Sequence, residues 1–343
     1  MTTRVAINGF GRIGRQAFKI AIQNPEIEIV AINDIGDVAN MAYLLKYDSV
    51  HRRDDDDVHA EGSNLVVARK KYPVLSVRDP HDLPWGKMNV DVVIESTGRF
   101  ATRKDAEAHL GAGAKSVVIS APAKGAPAFV LGVNEQAYKP GEDTIISNAS
   151  CTTNSITPVM AVLDEKFGVL KALMTTVHSY TADQRLVDSP HSDFRRGRAA
   201  AQNIVPTSTG AAVAATEALP QLKGVFDGVA LRVPTLDVSL SDLTVLLKHK
   251  TSVEEINRAF REAAKSDRYK GILAVSDEPL VSADFVGDPH SATVDLELTQ
   301  VVDGDFVKVF AWYDNEWGYA NRLVEEVVMV GRSLEREPAG AHA

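Results

Sequence analysis

Cys151 is the only cysteine in 343 residues, and it stands in Ser147-Asn148-Ala149-Ser150-Cys151-Thr152-Thr153-Asn154. Residues 143–147 read as a short strand and 155–163 as a helix, with Pro158 tolerable only in a first helical turn. A thiol at a helix N-terminus faces unpaired backbone N–H groups and the positive end of the helix dipole, which favour thiolate. Lowering a thiol from about 8.5 to about 6 makes most of it nucleophilic at neutral pH. A lone cysteine is also commonly a small buried hydrophobe, so its neighbours decide. His178 lies near the end of the strand-like run Met174-Thr175-Thr176-Val177-His178-Ser179-Tyr180. Beside Cys151 an imidazole would pair with the thiolate and serve as general base and acid; a strand histidine by itself is as readily structural.

The elements needed to position such a pair fall into two halves. Arg4-Val5-Ala6-Ile7-Asn8 reads as a buried strand, followed at once by Gly9-Phe10-Gly11-Arg12-Ile13-Gly14 and a helix ending near Asn24-Pro25. In this pattern the first glycine makes a tight turn, the second admits a pyrophosphate to backbone N–H groups, and the third lets helix and strand pack closely. A second strand, Glu28-Ile29-Val30-Ala31-Ile32-Asn33, ends in Asp34, twenty residues beyond Gly14. A carboxylate there accepts from adenosine ribose hydroxyls and repels a 2′-phosphate, which favours NAD over NADP. The alternative is a plain helix cap. Strands 89–98 and 116–120 flank a helix over 102–112, and they put Thr97 and Ser120 at the carboxyl edge of a parallel sheet, the ligand side. An inserted hairpin spans 58–77 and leads to Arg78. The run Asp54-Asp55-Asp56-Asp57 reads as a solvated loop, and no converging ligands for a metal are apparent.

From Gly168 onward the pattern turns to alternating strands at 169–180, 225–233, 238–248, 292–301 and 306–313, with helices at 210–219 and 252–264. Strands in succession with few helices imply a mixed α+β domain, and the long polar segment 181–209 reads as a functional loop. The predicted architecture is therefore α/β: a Rossmann-type dinucleotide-binding domain (1–150 plus 315–343) with a second α+β catalytic domain (151–314). Two domains suit a chain of 343 residues, since single cores stop growing near 250–300. The net charge of −9 argues against nucleic acid or an anionic membrane as primary partner. It also makes the arginines near Arg196 and at Arg232 informative, because the rest of the molecule repels anions. No long apolar run is present. The start Met1-Thr2-Thr3-Arg4 leaves no room for a signal peptide, and a lone reactive thiol suits a reducing compartment, so a cytoplasmic protein is expected.

Six blocks in order carry a resemblance. They are Asn8 to Gly14, Ser147 to Asn154, Thr176-Val177-His178-Ser179-Tyr180-Thr181, Arg195-Arg196-Gly197-Arg198-Ala199-Ala200-Ala201, Arg232-Val233-Pro234-Thr235, and Trp312-Tyr313-Asp314-Asn315-Glu316-Trp317-Gly318-Tyr319. Together the chain resembles the phosphorylating glyceraldehyde-3-phosphate dehydrogenases from about Thr3 to Val330. The resemblance implies Cys151 as nucleophile and His178 as its base. It implies Gly9, Gly11, Arg12, Ile13, Gly14, Asp34, Arg78, Thr97, Ser120 and Asn315 at NAD, with Asn315, opening the last helix, on the nicotinamide carboxamide. It places Ser150, Thr152, Thr181, Arg196, Thr209, Gly210 and Arg232 around two phosphate positions, those of glyceraldehyde 3-phosphate and inorganic phosphate. It also implies a homotetramer with the 181–209 loop at a subunit contact. A salt-bridged surface loop is the other reading of Arg195, Arg196 and Arg198, and Arg196 is the one chosen for ligand.

Departures from the family pattern are few. Ser155 stands where a second cysteine is common, and His51-Arg52-Arg53-Asp54 lacks the usual glycine and aromatic residue. Pro190 is kept where NADP-using relatives carry serine. Other readings are an erythrose-4-phosphate dehydrogenase of the same superfamily, a non-enzymatic RNA- or protein-binding role, and a thiol redox sensor. The last would need an external thiol. The tail 337–343 shows no pattern and is expected to be disordered.

Overall fold

Strands Val92–Glu95 and Ser116–Ile119 are buried at every position, so neither can turn a face to water, which is the signature of a parallel sheet covered on both sides. The computed structural model of the chain describes residues 2–54 and 56–334. The expected disorder of 337–343 and the Asp55 position of the acidic run lie outside the described residues. The chain divides into two units, Met1–Phe129 with Ala137–Ala149 and Ala320–Ala343, and Val130–Gln136 with Ser150–Tyr319.

In the first unit eight strands run in the order Ile145–Ser147, Ser116–Ile119, Val92–Glu95, Thr3–Asn8, Ile27–Asn33, Lys70–Leu75, Asn64–Val67, Val58–Glu61. The first six pair in parallel and the last two antiparallel. The segment expected as one hairpin over 58–77 is thus three strands, the third of which joins the parallel sheet beside Ile27–Asn33. Successive side chains alternate across the sheet: Val5 and Ile7 enter one core with Phe18, Ile32 and Ile94, while Ala6 enters another with Val93, Val117 and Trp85. Leu323, Val324 and Val327 of the last helix, Trp317–Leu334, belong to the first of these cores. Lys19 pairs with Asp54 at 3.1 Å, and Arg52, in a short antiparallel pair with Asp48, has φ 70°. That is the left-handed conformation which glycine adopts without strain.

The second unit holds a mixed seven-stranded sheet in the order Val205–Ser208, Phe226–Val233, Val169–Ser179, Ser239–Leu247, Phe306–Tyr313, Ala292–Val302, Leu273–Ser276. Ser239–Leu247 alternates buried and half-buried residues along its whole length, the pattern of a strand with one packed face. Leu243 and Val245 of that face, with Val309 of the neighbouring Phe306–Tyr313, pack with Met160, Leu163, Ala215 and Phe260 of the helices Cys151–Phe167, Ala211–Ala218 and Val253–Lys265. Ser252 and Glu255 form a capping box that starts the last of these. Among the described residues no helix is long and apolar enough to cross a membrane.

Candidate active site

Cys151 is the first residue of its helix, not a residue of the approach to it. Ser150 is the N-cap, its Oγ accepting from the Thr153 N–H at 3.0 Å. Ala149, at φ 51°, makes the sharp passage from strand to helix. Pro158 therefore lies well inside Cys151–Phe167 rather than in a first turn. The interior proline is held by burial: every residue from Thr152 to Leu163 is buried, and such packing outweighs local propensity.

His178 sits on Val169–Ser179, and the parallel register places Arg232 directly opposite it. Folding brings Cys151 Sγ to 3.4 Å from His178 Nε2, so the two residues expected to act together meet. Nδ1 lies 2.7 Å from the Ser179 carbonyl and 2.9 Å from Arg232 Nη1. With its proton on Nδ1 the ring donates to that carbonyl, Arg232 Nη1 donates to the same carbonyl at 3.2 Å rather than to the ring, and Nε2 is left to accept from the thiol. Burial pushes the Cys151 thiol up, against the pull of Arg232 and of N–H groups at the helix start. Burial, and after it the charge of Arg232, holds His178 down to about 3. Both shifts act toward an uncharged thiol–imidazole pair, against the thiolate that the helix start and the arginine favour. The helix terminus and the arginine are present as foreseen, but desolvation outweighs them.

Tyr313 was not singled out from the sequence for any role. Its hydroxyl hydrogen-bonds Thr152 Oγ1 at 2.9 Å and Thr176 Oγ1 at 2.8 Å, and its ring meets His178 edge-on at 6.0 Å. Thr152, expected at phosphate, is thus engaged with Tyr313. Ser179 Oγ donates to the Val238 carbonyl at 2.8 Å, and its N–H donates to Ser239 Oγ at 3.1 Å. Val238 has φ 67°, a genuine outlier for a β-branched residue. Ser239 Oγ in turn donates to Asn315 Oδ1 at 2.6 Å. Asn315 precedes the helix Trp317–Leu334 rather than opening it, because Asp314 Oδ1 caps the turn by accepting from the N–H groups of Glu316 and Trp317.

The arginines divide. Arg198 pairs with Asp188 at 2.8 Å and Arg195 is exposed, as a surface loop requires. Arg196 is tied to Asp183 at 2.6 Å, to Thr207 Oγ1 at 3.0 Å and to the Ser208 carbonyl at 3.3 Å. Arg232 has no carboxylate partner among the described residues, and its buried Nε has no hydrogen-bond acceptor. A half-buried guanidinium with an orphaned N–H has the chemistry to hold an anion. Thr209 Oγ1 accepts from the Ala211 N–H at 3.1 Å, and Gly210 caps the same helix with open space where a Cβ would stand. Thr181 is half-buried.

In the first unit the glycine turn fits a dinucleotide. Gly9 has φ 96°, and a Cβ on Gly14 would fall 2.1 Å from the Gly9 carbonyl, so neither position accepts a side chain. Gly11 is the N-cap of Arg12–Ala21; no side chain caps that end, and nothing lies within 4 Å of where its Cβ would be. That open helix terminus is an anion cradle. Asp34 accepts from the Phe10 N–H at 2.7 Å through Oδ2 and from the Gly36 N–H at 2.9 Å through Oδ1. Each carboxylate oxygen has a second lone pair for a ribose hydroxyl. Arg12 pairs with Asp48 at 2.7 Å, Ile13, Thr97 and Ser120 are half-buried, and Arg78 is exposed.

Residues 3–103 match the family described as Glyceraldehyde 3-phosphate dehydrogenase, NAD binding domain, and residues 150–315 match its Glyceraldehyde 3-phosphate dehydrogenase, C-terminal domain. The chain belongs to the glyceraldehyde 3-phosphate dehydrogenase family. It is 54% identical over 326 residues to the glyceraldehyde-3-phosphate dehydrogenase of Geobacillus stearothermophilus, covering 95% of this chain and 97% of that one. It is 53% identical over 333 residues to glyceraldehyde-3-phosphate dehydrogenase 1 of Bacillus subtilis (97% and 99% covered). The Mycobacterium bovis BCG protein of the same name is 55% identical over 342 residues (97% and 100% covered). Membership bears out the resemblance, the α/β fold class with its Rossmann domain, and NAD as the family's cofactor.

Proposed function

We propose that this chain oxidises glyceraldehyde 3-phosphate with NAD and inorganic phosphate to 1,3-bisphosphoglycerate. The observation that carries the reading is the contact of Cys151 Sγ with His178 Nε2 at 3.4 Å, with Arg232 beside the ring. Cys151 Sγ attacks the aldehyde carbon while Nε2 takes the thiol proton, forming a hemithioacetal. The oxyanion is stabilised by the backbone N–H of Cys151 at the helix start and by the protonated His178. When bound, NAD supplies the acceptor for the hydride of the hemithioacetal carbon. His178 first gives the thiol proton to the oxyanion, completing the hemithioacetal hydroxyl, and Nε2 takes it back as the thioester carbonyl forms. Phosphate oxygen then attacks the thioester carbonyl, the C–S bond breaks, and sulfur recovers a proton from Nε2. Sulfur is required because a thioester stays reactive toward phosphate where an oxygen ester would not.

Arg232, Arg196, Thr181, Ser150, Thr152, Thr209 and Gly210 form the proposed set around the two phosphates. Charged hydrogen bonds to such dianions contribute about 1.5–3 kcal/mol each. Gly9, Gly11, Arg12, Ile13, Gly14, Asp34, Arg78, Thr97, Ser120 and Asn315 form the proposed NAD set. The proposed assembly is a homotetramer, supported by Phe194 and Leu186 of the 181–209 loop, which stand 89% and 80% exposed in the single chain. The lone, chemically active thiol supports a cytoplasmic setting. The test is NADH formation from glyceraldehyde 3-phosphate and, at equal concentration, erythrose 4-phosphate. Faster phosphate-dependent turnover of the triose is expected; preference for the tetrose would replace the substrate, and equally fast sustained turnover without phosphate would refute phosphate as the acceptor of the acyl group.

A further inference from the structure

Asn33, Asn8 and Glu95 are the last residues of three adjacent parallel strands and stand abreast in register. All three are buried, with Glu95 2% exposed. Their side chains form one connected row. Asn33 Nδ2 donates to Asn8 Oδ1 at 2.7 Å, and Asn8 Nδ2 donates to Glu95 Oε2 at 2.5 Å. Beyond Asn33 the row reaches the Val77 N–H at 2.9 Å. Beyond Glu95 it enters the helix Arg103–Gly111, where His109 Nε2 lies 3.0 Å from Oε2, and ends at Trp85, whose Nε1–H donates to His109 Nδ1 at 3.0 Å. An indole nitrogen only donates. Nδ1 therefore accepts, and the imidazole presents Nε2–H to Glu95.

The other carboxylate oxygen, Oε1, accepts from the Thr97 N–H at 2.8 Å and from the Thr97 hydroxyl. Glu95 thus gathers four donors, which an acceptor-only carboxylate satisfies and a carboxamide cannot. The residues just beyond this row are the nucleotide cradle itself: Asp34 follows Asn33, Gly9 follows Asn8, Arg78 follows Val77, and Thr97 lies two past Glu95. Ser120 N–H also bonds the Glu95 carbonyl at 2.9 Å. The Thr97 hydroxyl proton is committed inward, so toward a ligand its oxygen can only accept.

We infer that Glu95, oriented by His109 and Trp85, is a positioning residue that holds these loops in register for NAD. The inference rests on NAD as the cofactor and goes beyond it in naming a buried determinant of its affinity that touches no ligand. The experiment is calorimetric titration of the ligand-free protein with NAD, together with KM and kcat for NAD, in wild type, Glu95→Gln, His109→Gln and His109→Leu. Glutamine keeps a donor near the Nε2 position of histidine, while leucine removes it. Glu95→Gln and His109→Leu are expected to raise the Kd and KM for NAD about tenfold, with kcat at saturating NAD falling much less and His109→Gln staying within about twofold of wild type. Equal Kd in all four proteins, with only melting temperatures lowered, would overturn the inference by making the row purely structural. So would His109→Gln binding as weakly as His109→Leu. A wild-type protein that takes up no NAD would overturn the cofactor reading, and the inference with it.

Discussion

At the scale of single residues, the chemistry depends on a proton that moves between Cys151 and His178. Burial raises the thiol and holds the imidazole down to about 3, both acting toward an uncharged pair. His178→Asn removes the acceptor at Nε2 and should lower kcat by about 10²–10⁴ while leaving NAD affinity unchanged, as measured by steady-state kinetics beside NAD titration. A kcat within a few-fold of wild type would make His178 structural. The shift also has a stability consequence. Because His178 protonates readily only when unfolded, its contribution is present above about pH 6.5 and is lost as pH falls toward 3. His178→Asn should therefore soften the loss of melting temperature between pH 6.5 and 4.5. Asp34 was legible from the sequence because its distance from the glycine turn carries meaning. Asp34→Ala should admit NADP, read as a fall in the NADP KM; unchanged discrimination would mean that another group senses the 2′-phosphate.

At the scale of elements, Trp317–Leu334 carries a carboxyl where packing calls for an apolar residue. Glu326 is wholly buried, its Oε2 has no partner among the described residues, and its other oxygen accepts from the Asn148 amide at 3.2 Å. Burial and the neighbouring Glu325 charge push its pKa well above the ordinary glutamate value. A raised folded-state value means that the proton is kept on folding and lost on unfolding, so stability declines as pH rises above about 4.5. Glu326→Gln should stabilise by about 1–3 kcal/mol at pH 8 and by almost nothing at pH 5, seen as a melting-temperature gain that grows with pH. A gain independent of pH would show that the carboxyl is ionised in the fold. The elements themselves were largely legible: apolar runs marked the parallel strands, and the period-two pattern marked Ser239–Leu247. Helix starts were less so. Cys151, capped by Ser150, rather than Ser155 begins the helix, because the cap is a local hydrogen bond while the interior Pro158 is tolerated only through burial. The Asn33–Asn8–Glu95 row was invisible, since strand register is not written in any one segment.

At the scale of the molecule, the exposed apolar side chains of the 181–209 loop are what the proposed tetramer would cover. Phe194→Asp should shift the mass measured by light scattering from four chains toward fewer; a wild-type monomer, or a variant that stays tetrameric, would remove the loop from the contact. Family and fold could be read from the chain because six blocks recur in order, whereas the resting protonation of the Cys151–His178 pair could not, since burial is a property of the folded whole. The central claim is that oxidation passes through an ester of Cys151, and the mass of the intact chain tests it most directly. With glyceraldehyde 3-phosphate and NAD but no phosphate, the protein should gain one phosphoglyceroyl group on Cys151, and added phosphate should remove it as 1,3-bisphosphoglycerate forms. An unmodified chain that still makes NADH, or a Cys151→Ala variant that turns over, would contradict the account.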